Sequence, residues 1–534
     1  MSSTRRVAAL AVVVAVLGGL AAAGRNHTSR PAEVTAGAAA DIVASMPVAA
    51  APSAVTSTFY CAGGGADGGD FDATVVIANP TDRTVSATVT VFPGAVDGET
   101  DAVAAVAALK PVASSVAVAT HTRAEVHLAD VQKSPFAAAL VEVDSGLVAV
   151  ERRVSSKRGL STSPCASSTS GTWYLPSGVT TIDARELLAI FNPFPADAVA
   201  DIAFFTSDGF RGPPATQGYV VLAGHVALID VGKVAGRHDQ VATQVVVRRG
   251  RVVVDRLQTF NGSVDGRPAA VAATLAAPAV APVWVFPQGY VADGLRETYA
   301  LFNPGNAQAS VDLEITLADP ATNGTTDPIP VNVPANGYVL VAMDQQPRVP
   351  TGVAHSVVVR HRAGPDIVPE RVLVATGAAT RSGYGPALGS PLVARSWLFA
   401  DGRADESFAD WLTLVNPSSG GIAKVSVAEL AQGQAVPIDG LQGLEVPAGG
   451  RLEVELGTKL NRASLSFLVT ADLPVVAERG LFASSGPGLS LALGVPLQDG
   501  LATAPIAGPT TSTLLTTTTT ATTIASNPTS STIP

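Results

Sequence analysis

The amino-acid sequence predicts an all-β protein: four tandem immunoglobulin-like β-sandwich repeats of about 110 residues, preceded by one N-terminal apolar helix. Three observations carry this reading. Asn-Pro recurs at Asn79, Asn192, Asn303 and Asn416, at separations of 113, 111 and 113 residues. An aromatic stands nineteen residues ahead of each Asn, as Tyr60, Trp173, Trp284 and Trp397, and a glycine follows each aromatic by five, as Gly65, Gly178, Gly289 and Gly402. Each unit closes on an acid followed by arginine: Glu151-Arg152, Asp255-Arg256, Glu370-Arg371 and Glu478-Arg479.

Between the markers the sequence alternates as a half-buried strand does. Val75 and Ile77, Leu188 and Ile190, Tyr299 and Leu301, and Leu412 and Leu414 stand two apart ahead of their Asn-Pro and so share a strand face. After Asn79, Val85, Ala87, Val89 and Val91 alternate with Thr84, Ser86, Thr88 and Thr90, one face apolar and the other polar. Asn-Pro ends a strand because Pro has no N–H for the ladder and the Asn side chain closes a turn locally. "VPANG" and "VPAGG", at 333–337 and 446–450, mark a second turn. No amphipathic helix is expected inside a unit.

These markers divide the chain. Residues 1–24 are a signal anchor or signal peptide, and 25–57 a disordered linker. The repeats span 58–166, 172–270, 283–380 and 396–498, with Ala/Pro/Gly-rich connections at 267–282 and 381–396. A Thr/Ser-rich tail, 505–534, is low in complexity and expected to be disordered.

Composition narrows the setting. Charged residues are 15% of the chain and the net charge is −10, without a basic block, so nucleic acid is not an expected partner. Arg5 and Arg6 precede an uncharged run from Val7 to Gly24, the pattern of an export signal. As a helix that run is about 27 Å long, at the short end of a membrane span. The expected location is the cell membrane, single-pass with the bulk outside the cytoplasm, or, if the signal is cleaved, secretion. Cys61 and Cys165 flank the first unit, and an oxidising compartment favours a bridge between them.

With "WYLPSG", "WVFPQG" and "WLFADG" at 173–178, 284–289 and 397–402, the four Asn-Pro turns, the two "VPA" turns and "LPVVAERG" at 473–480, the chain resembles DUF5719, a family of uncharacterised exported actinobacterial proteins. The resemblance covers about Thr58 to Gly486 and implies a surface β-sandwich without implying a reaction. The first unit departs from it, with Tyr60-Cys61 where the others have Trp.

Catalytic constellations fail one by one. His121 and His127, and His355 and His361, stand six apart, about 20 Å along a strand and too far for one metal. Asp67, Asp70 and Asp72 could in principle hold Ca²⁺, but a solvated turn is the preferred reading. His225 takes the slot after a turn glycine that Tyr338 and Arg451 take in later units, which reads as surface. No catalytic, cofactor-binding or metal residue is assigned, and no cofactor is expected. Trp173, Trp284 and Trp397 are read as packing residues rather than sugar platforms. Arg152, Arg256, Arg371 and Arg479 are expected to use their guanidinium forks on loop carbonyls or a carboxylate, since a strand turns each away from the acid beside it.

The function expected is a non-catalytic cell-envelope protein: a membrane-tethered rod of sandwiches acting as spacer, scaffold, or adhesion and binding module. Its partners would be the membrane, through the N-terminal helix, and a cell-wall polymer or another envelope protein. The alternative is an accessory enzyme or carbohydrate-binding protein acting on envelope glycans.

Overall fold

The computed structural model describes residues 36–67, 71–262, 267–318, 326–376 and 382–506. The described residues are predominantly β, with 59% of them in strands and 7% helical. The signal anchor or signal peptide expected at 1–24, with its apolar helix, and nearly all of the Thr-rich tail lie outside the described residues. Among those described, no helix is long and apolar enough to cross a membrane.

The third unit shows the pattern with fewest irregularities. One antiparallel sheet has the order Val283–Tyr290, Ala354–Ala363, Ala309–Leu317, Ile329–Val333. The other has the order Gly337–Ala342, Leu295–Asn303, Val368–Ala375, Gly383–Leu388. Alternate residues such as Val311, Leu313 and Ile315 meet Tyr299 and Leu301 of the opposite sheet in one buried core. The first, second and fourth units repeat this order, with the outer edge strand split in two in the second and fourth. In the fourth unit a single strand, Arg462–Ala483, runs through both sheets.

Each Asn-Pro turn ties one sheet to the other. Asn303 Nδ2 donates to the carbonyls of Ala307, Val333 and Pro334, and its Oδ1 accepts from Gly305 N. Val333 ends the edge strand of the facing sheet. Asn79, Asn192 and Asn416 bond Val118, Val221 and Val446 in the same way. All four Asn side chains are buried, and these bonds satisfy the carbonyls where the strands stop.

The connections read as linkers are structural. Ala269–Leu275 and Gly383–Leu388 are the closing strands of the second and third units, equivalent to Gly159–Pro164 and Leu489–Leu493. The closing strands neighbour one another in a cycle, first to second to third to fourth and back to first. Small residues such as Ala273, Gly385 and Ala492 allow four backbones to approach there, and a Cβ on Gly385 would lie 1.9 Å from Leu489. The four units therefore form a closed ring, and the expected rod is corrected.

Three further expectations are corrected. Part of the segment 25–57 is ordered: a helix at Ala36–Ser45 leads into buried Met46, Val48 and Ala49, with Val48 N on Ser167 Oγ and Ala49 N on the Pro496 carbonyl. At the other end, Pro505 and Ile506 accept from Arg360 Nη1, so the tail begins docked on the third unit. Within the first unit, Thr100–Ala107 forms a two-turn helix where none was expected. Cys61 and Cys165 are disulfide-bonded, with Cα atoms 4.7 Å apart.

Candidate functional site

The acid-arginine pairs meet at the centre of the ring. Neighbours on a strand point to opposite faces, so each pair serves both seams of its unit. Arg152 is ion-paired with Asp255 of the second unit. Arg256 reaches Glu370 of the third at 2.6 Å, and Arg371 pairs with Glu478 of the fourth. Arg479 returns to Glu151 of the first at 3.2 Å. All eight side chains are buried.

The opening strand completes each pair. Ser177 N and Gln288 N donate at 3.0 Å to Glu370 and Glu478, and Asp401 N at 2.8 Å to Glu151. Ala62 supplies the same backbone bond to Asp255. Arg152 Nη1 donates to the Gly63 carbonyl at 2.8 Å, and Arg256 and Arg371 likewise bond the carbonyls of Ser177 and Gln288. The guanidinium groups of Arg371 and Arg479 also lie 5.9 and 5.5 Å from the rings of Phe286 and Phe399. Buried charges persist only when paired and hydrogen-bonded, and this arrangement meets that condition by joining different units.

A second ring of carboxylates stands beside the first. Glu186, Glu297 and Asp410 each lie six residues ahead of Asn192, Asn303 and Asn416, with Ala73 in the first unit. That recurrence was a signal available in the sequence. All three are buried. Neither oxygen of Glu186 has a hydrogen-bond partner among the described residues. Burial pushes its carboxyl up to about 8, against the pull of Arg256 and with the help of Glu370 and Asp230. Burial likewise pushes Asp410 up to about 7. Glu297 behaves oppositely: despite burial, His355 Nε2 at 2.8 Å, together with Arg371 and Tyr299, holds it below the usual range.

The aromatics divide. Trp173, Trp284 and Trp397 are buried, and their indole N–H groups donate to the carbonyls of Val252, Ile367 and Val475 at 3.0, 3.0 and 2.9 Å. Tyr60 is offset from them by one. Cys61 must point inward to reach Cys165, so Phe59 shares its face and fills the core, while Tyr60 packs on the other side, against a cluster that the first and second units build together. The histidines go to separate carboxylates: His121 to Asp82 and His361 to Asp366 at 2.8 Å, and His127 to Asp72 at 3.9 Å. Asp70 lies outside the described residues. Arg451, expected at the surface, has a nearly buried side chain bonded to Ser356 of the neighbouring unit at 3.0 Å.

Two clefts open at equivalent places on either side of the first unit. One, of about 460 Å³, lies where the first unit meets the second, and the other, of about 660 Å³, where the fourth meets the first. In the larger, Arg123 and Arg153 of the first unit reach Asp401 of the fourth at 3.2 and 2.8 Å. Both also pair with Glu125.

Comparison with known proteins adds a family. Residues 145–353 match DUF5719, a family of unknown function. The DUF5719 match covers the whole second unit and parts of the first and third, including the first two acid-arginine pairs. No curated protein matches the chain. Among solved structures, the Anabaena sensory rhodopsin transducer is 20% identical, over 17% of this chain and 88% of its own, with a TM-score of 0.15. Thermotoga maritima 1070 is 17% identical, over 21% and 93%, with a TM-score of 0.17.

Proposed function

We propose that the protein is a non-catalytic component of the cell envelope, a rigid ring of four immunoglobulin-sized sandwiches that serves as scaffold or as adhesion and binding module outside the membrane. The observation that carries this reading is the buried cycle of arginine-carboxylate pairs. The most strongly perturbed carboxylates are enclosed between units, where a polymeric substrate has no access, and each arginine there is engaged in closing the ring. The export-type N-terminus and the disulfide support an extracytoplasmic place, with the apolar N-terminal segment as membrane anchor or, if cleaved, as a secretion signal.

The alternative, an accessory enzyme or carbohydrate-binding protein acting on envelope glycans, draws on the larger cleft, which exposes Glu125 near Asp401. A glycosidic general acid needs a raised pKa. Although burial works against it, Arg153 and Arg123 hold Glu125 below the usual carboxylate range, which favours binding over hydrolysis. Co-sedimentation of the full chain with isolated cell-wall material, compared with a chain lacking 507–534, tests the proposal. Retention without release of soluble sugar is expected. Steady release of reducing ends would overturn the non-catalytic reading.

A further inference from the structure

We propose that the two clefts flanking the first unit are a matched pair of binding sites for an acidic saccharide polymer, one bearing phosphate or carboxylate groups. The inference deepens the binding-module reading above and rests on it. Three observations converge.

The first is equivalence. Phe71 in the smaller cleft and Phe408 in the larger both stand eight residues ahead of their Asn, Asn79 and Asn416. Leu257 and Arg153 directly follow Arg256 and Arg152 on the opposing wall. Each cleft thus sets the loop after one unit's opening strand against the arginine strand of the next.

The second is charge. The larger cleft is lined by Arg123, Arg153, Lys157 and Arg403 against Glu125 and Asp401. The smaller is lined by Arg158, Arg185, Lys233 and Arg237 against Asp183 and Asp230. Both hold four cations and two carboxylates in a chain of net charge −10. Asp405 pairs with Arg403 at 3.0 Å and Glu99 with Arg185 at 3.4 Å, so part of this charge is already partnered. Lys233 and Arg237 are exposed and have no carboxylate partner among the described residues. A cleft concentrates such a field beyond what a flat surface allows.

The third is the mix of surfaces. Arg403 lies 5.2 Å from the Phe408 ring and Arg158 5.9 Å from the Phe71 ring. An apolar ring face beside arginine forks suits a sugar with an anionic substituent, since the forks match carboxylate and phosphate geometry. Two of the other three seams close without these charges. At the positions of Arg123, Glu125 and Arg153, the seam of first and second units carries Val226, Leu228 and Leu257, and that of second and third carries Tyr338, Leu340 and Val372. The seam of the third and fourth units keeps an arginine and a glutamate at the first two positions, Arg451 and Glu453.

The test uses the full chain in a low-salt titration with poly(glycerol phosphate) and polygalacturonate, and with neutral dextran. Binding of at least one polyanion, weakening with salt, and none of dextran is expected. Lys157→Gln with Arg403→Gln should weaken it about tenfold, and adding Lys233→Gln with Arg237→Gln should weaken it further, with the melting temperature kept within a few degrees. Equal binding of dextran, no binding of either polyanion, or undiminished binding by the folded fourfold variant would overturn the proposal. Retention on cell walls without polyanion binding would remove these sites and leave the scaffold reading standing. Shortening of a bound polymer would keep the sites and remove the non-catalytic reading.

Discussion

Arg479 of the last unit is ion-paired with Glu151 of the first, 328 residues away in sequence, at 3.2 Å and without solvent exposure. This contact turns a linear series of repeats into a cycle. Its strength follows from desolvation, because either partner alone would be a buried charge without compensation.

Arg479→Ala should therefore destabilise the whole ring, by about 3–5 kcal/mol, and not the fourth unit alone. Replacing the pair together, as Arg479→Met with Glu151→Leu, should cost less than either single change. Urea denaturation of the three variants measures this. A double variant as unstable as the sum of the singles would mean that the pair is not coupled.

Removal of the disulfide by Cys61→Ser with Cys165→Ser opens a loop of sequence separation 104. By loop-closure entropy it should cost roughly 4–5 kcal/mol. The first unit should lose amide-exchange protection before the third does. Uniform loss would show that the ring, rather than the bridge, sets the stability of that unit.

Stability should fall as pH rises toward and through about 8. Burial pushes the Glu186 carboxyl up to about 8 in the folded chain, from an ordinary value of about 4.5, so the folded state holds a proton that the unfolded state has released. The contribution is complete below about 4.5 and is lost as pH passes through the folded value. Glu186→Gln should flatten this part of the profile and be the more stable protein at pH 9. Thermal melts from pH 5 to 9 decide it, and identical profiles would place the charged carboxylate in the folded state.

Asn303→Asp should be more damaging than Asn303→Ala, although it is the smaller change in shape. Asp directs oxygen at the carbonyls that Asn303 Nδ2 now serves, adding repulsion to the lost bonds, whereas Ala only leaves them unpaired at about 1–3 kcal/mol. The melting temperatures of the two variants at neutral pH test the order.

Much of this protein was legible along the chain. The spacing of Asn-Pro, the aromatic slot and the acid-arginine pair located the strands, since alternation of side chains is a local property of extended backbone. The same spacing could have exposed Glu186, Glu297 and Asp410, which recur at one offset from Asn. His355 and Tyr299 carry no such signal, because their partnership with Glu297 belongs to one unit only. The offset of Tyr60 was hidden for a related reason: a one-residue shift exchanges strand faces, and the disulfide fixed which face turned inward.

The sequence by itself determined the β character, the recurring markers and the place of each acid-arginine pair at the end of its unit. Only the tertiary structure decided what those charges do. A dipeptide of Glu and Arg on a strand faces two ways, and whether the two directions lead to solvent, to a rod's neighbours or round a closed ring depends on contacts between units far apart in sequence. Here the closing strands Gly159–Pro164, Ala269–Leu275, Gly383–Leu388 and Leu489–Leu493 pack in a cycle, and that packing brings Arg479 back to Glu151.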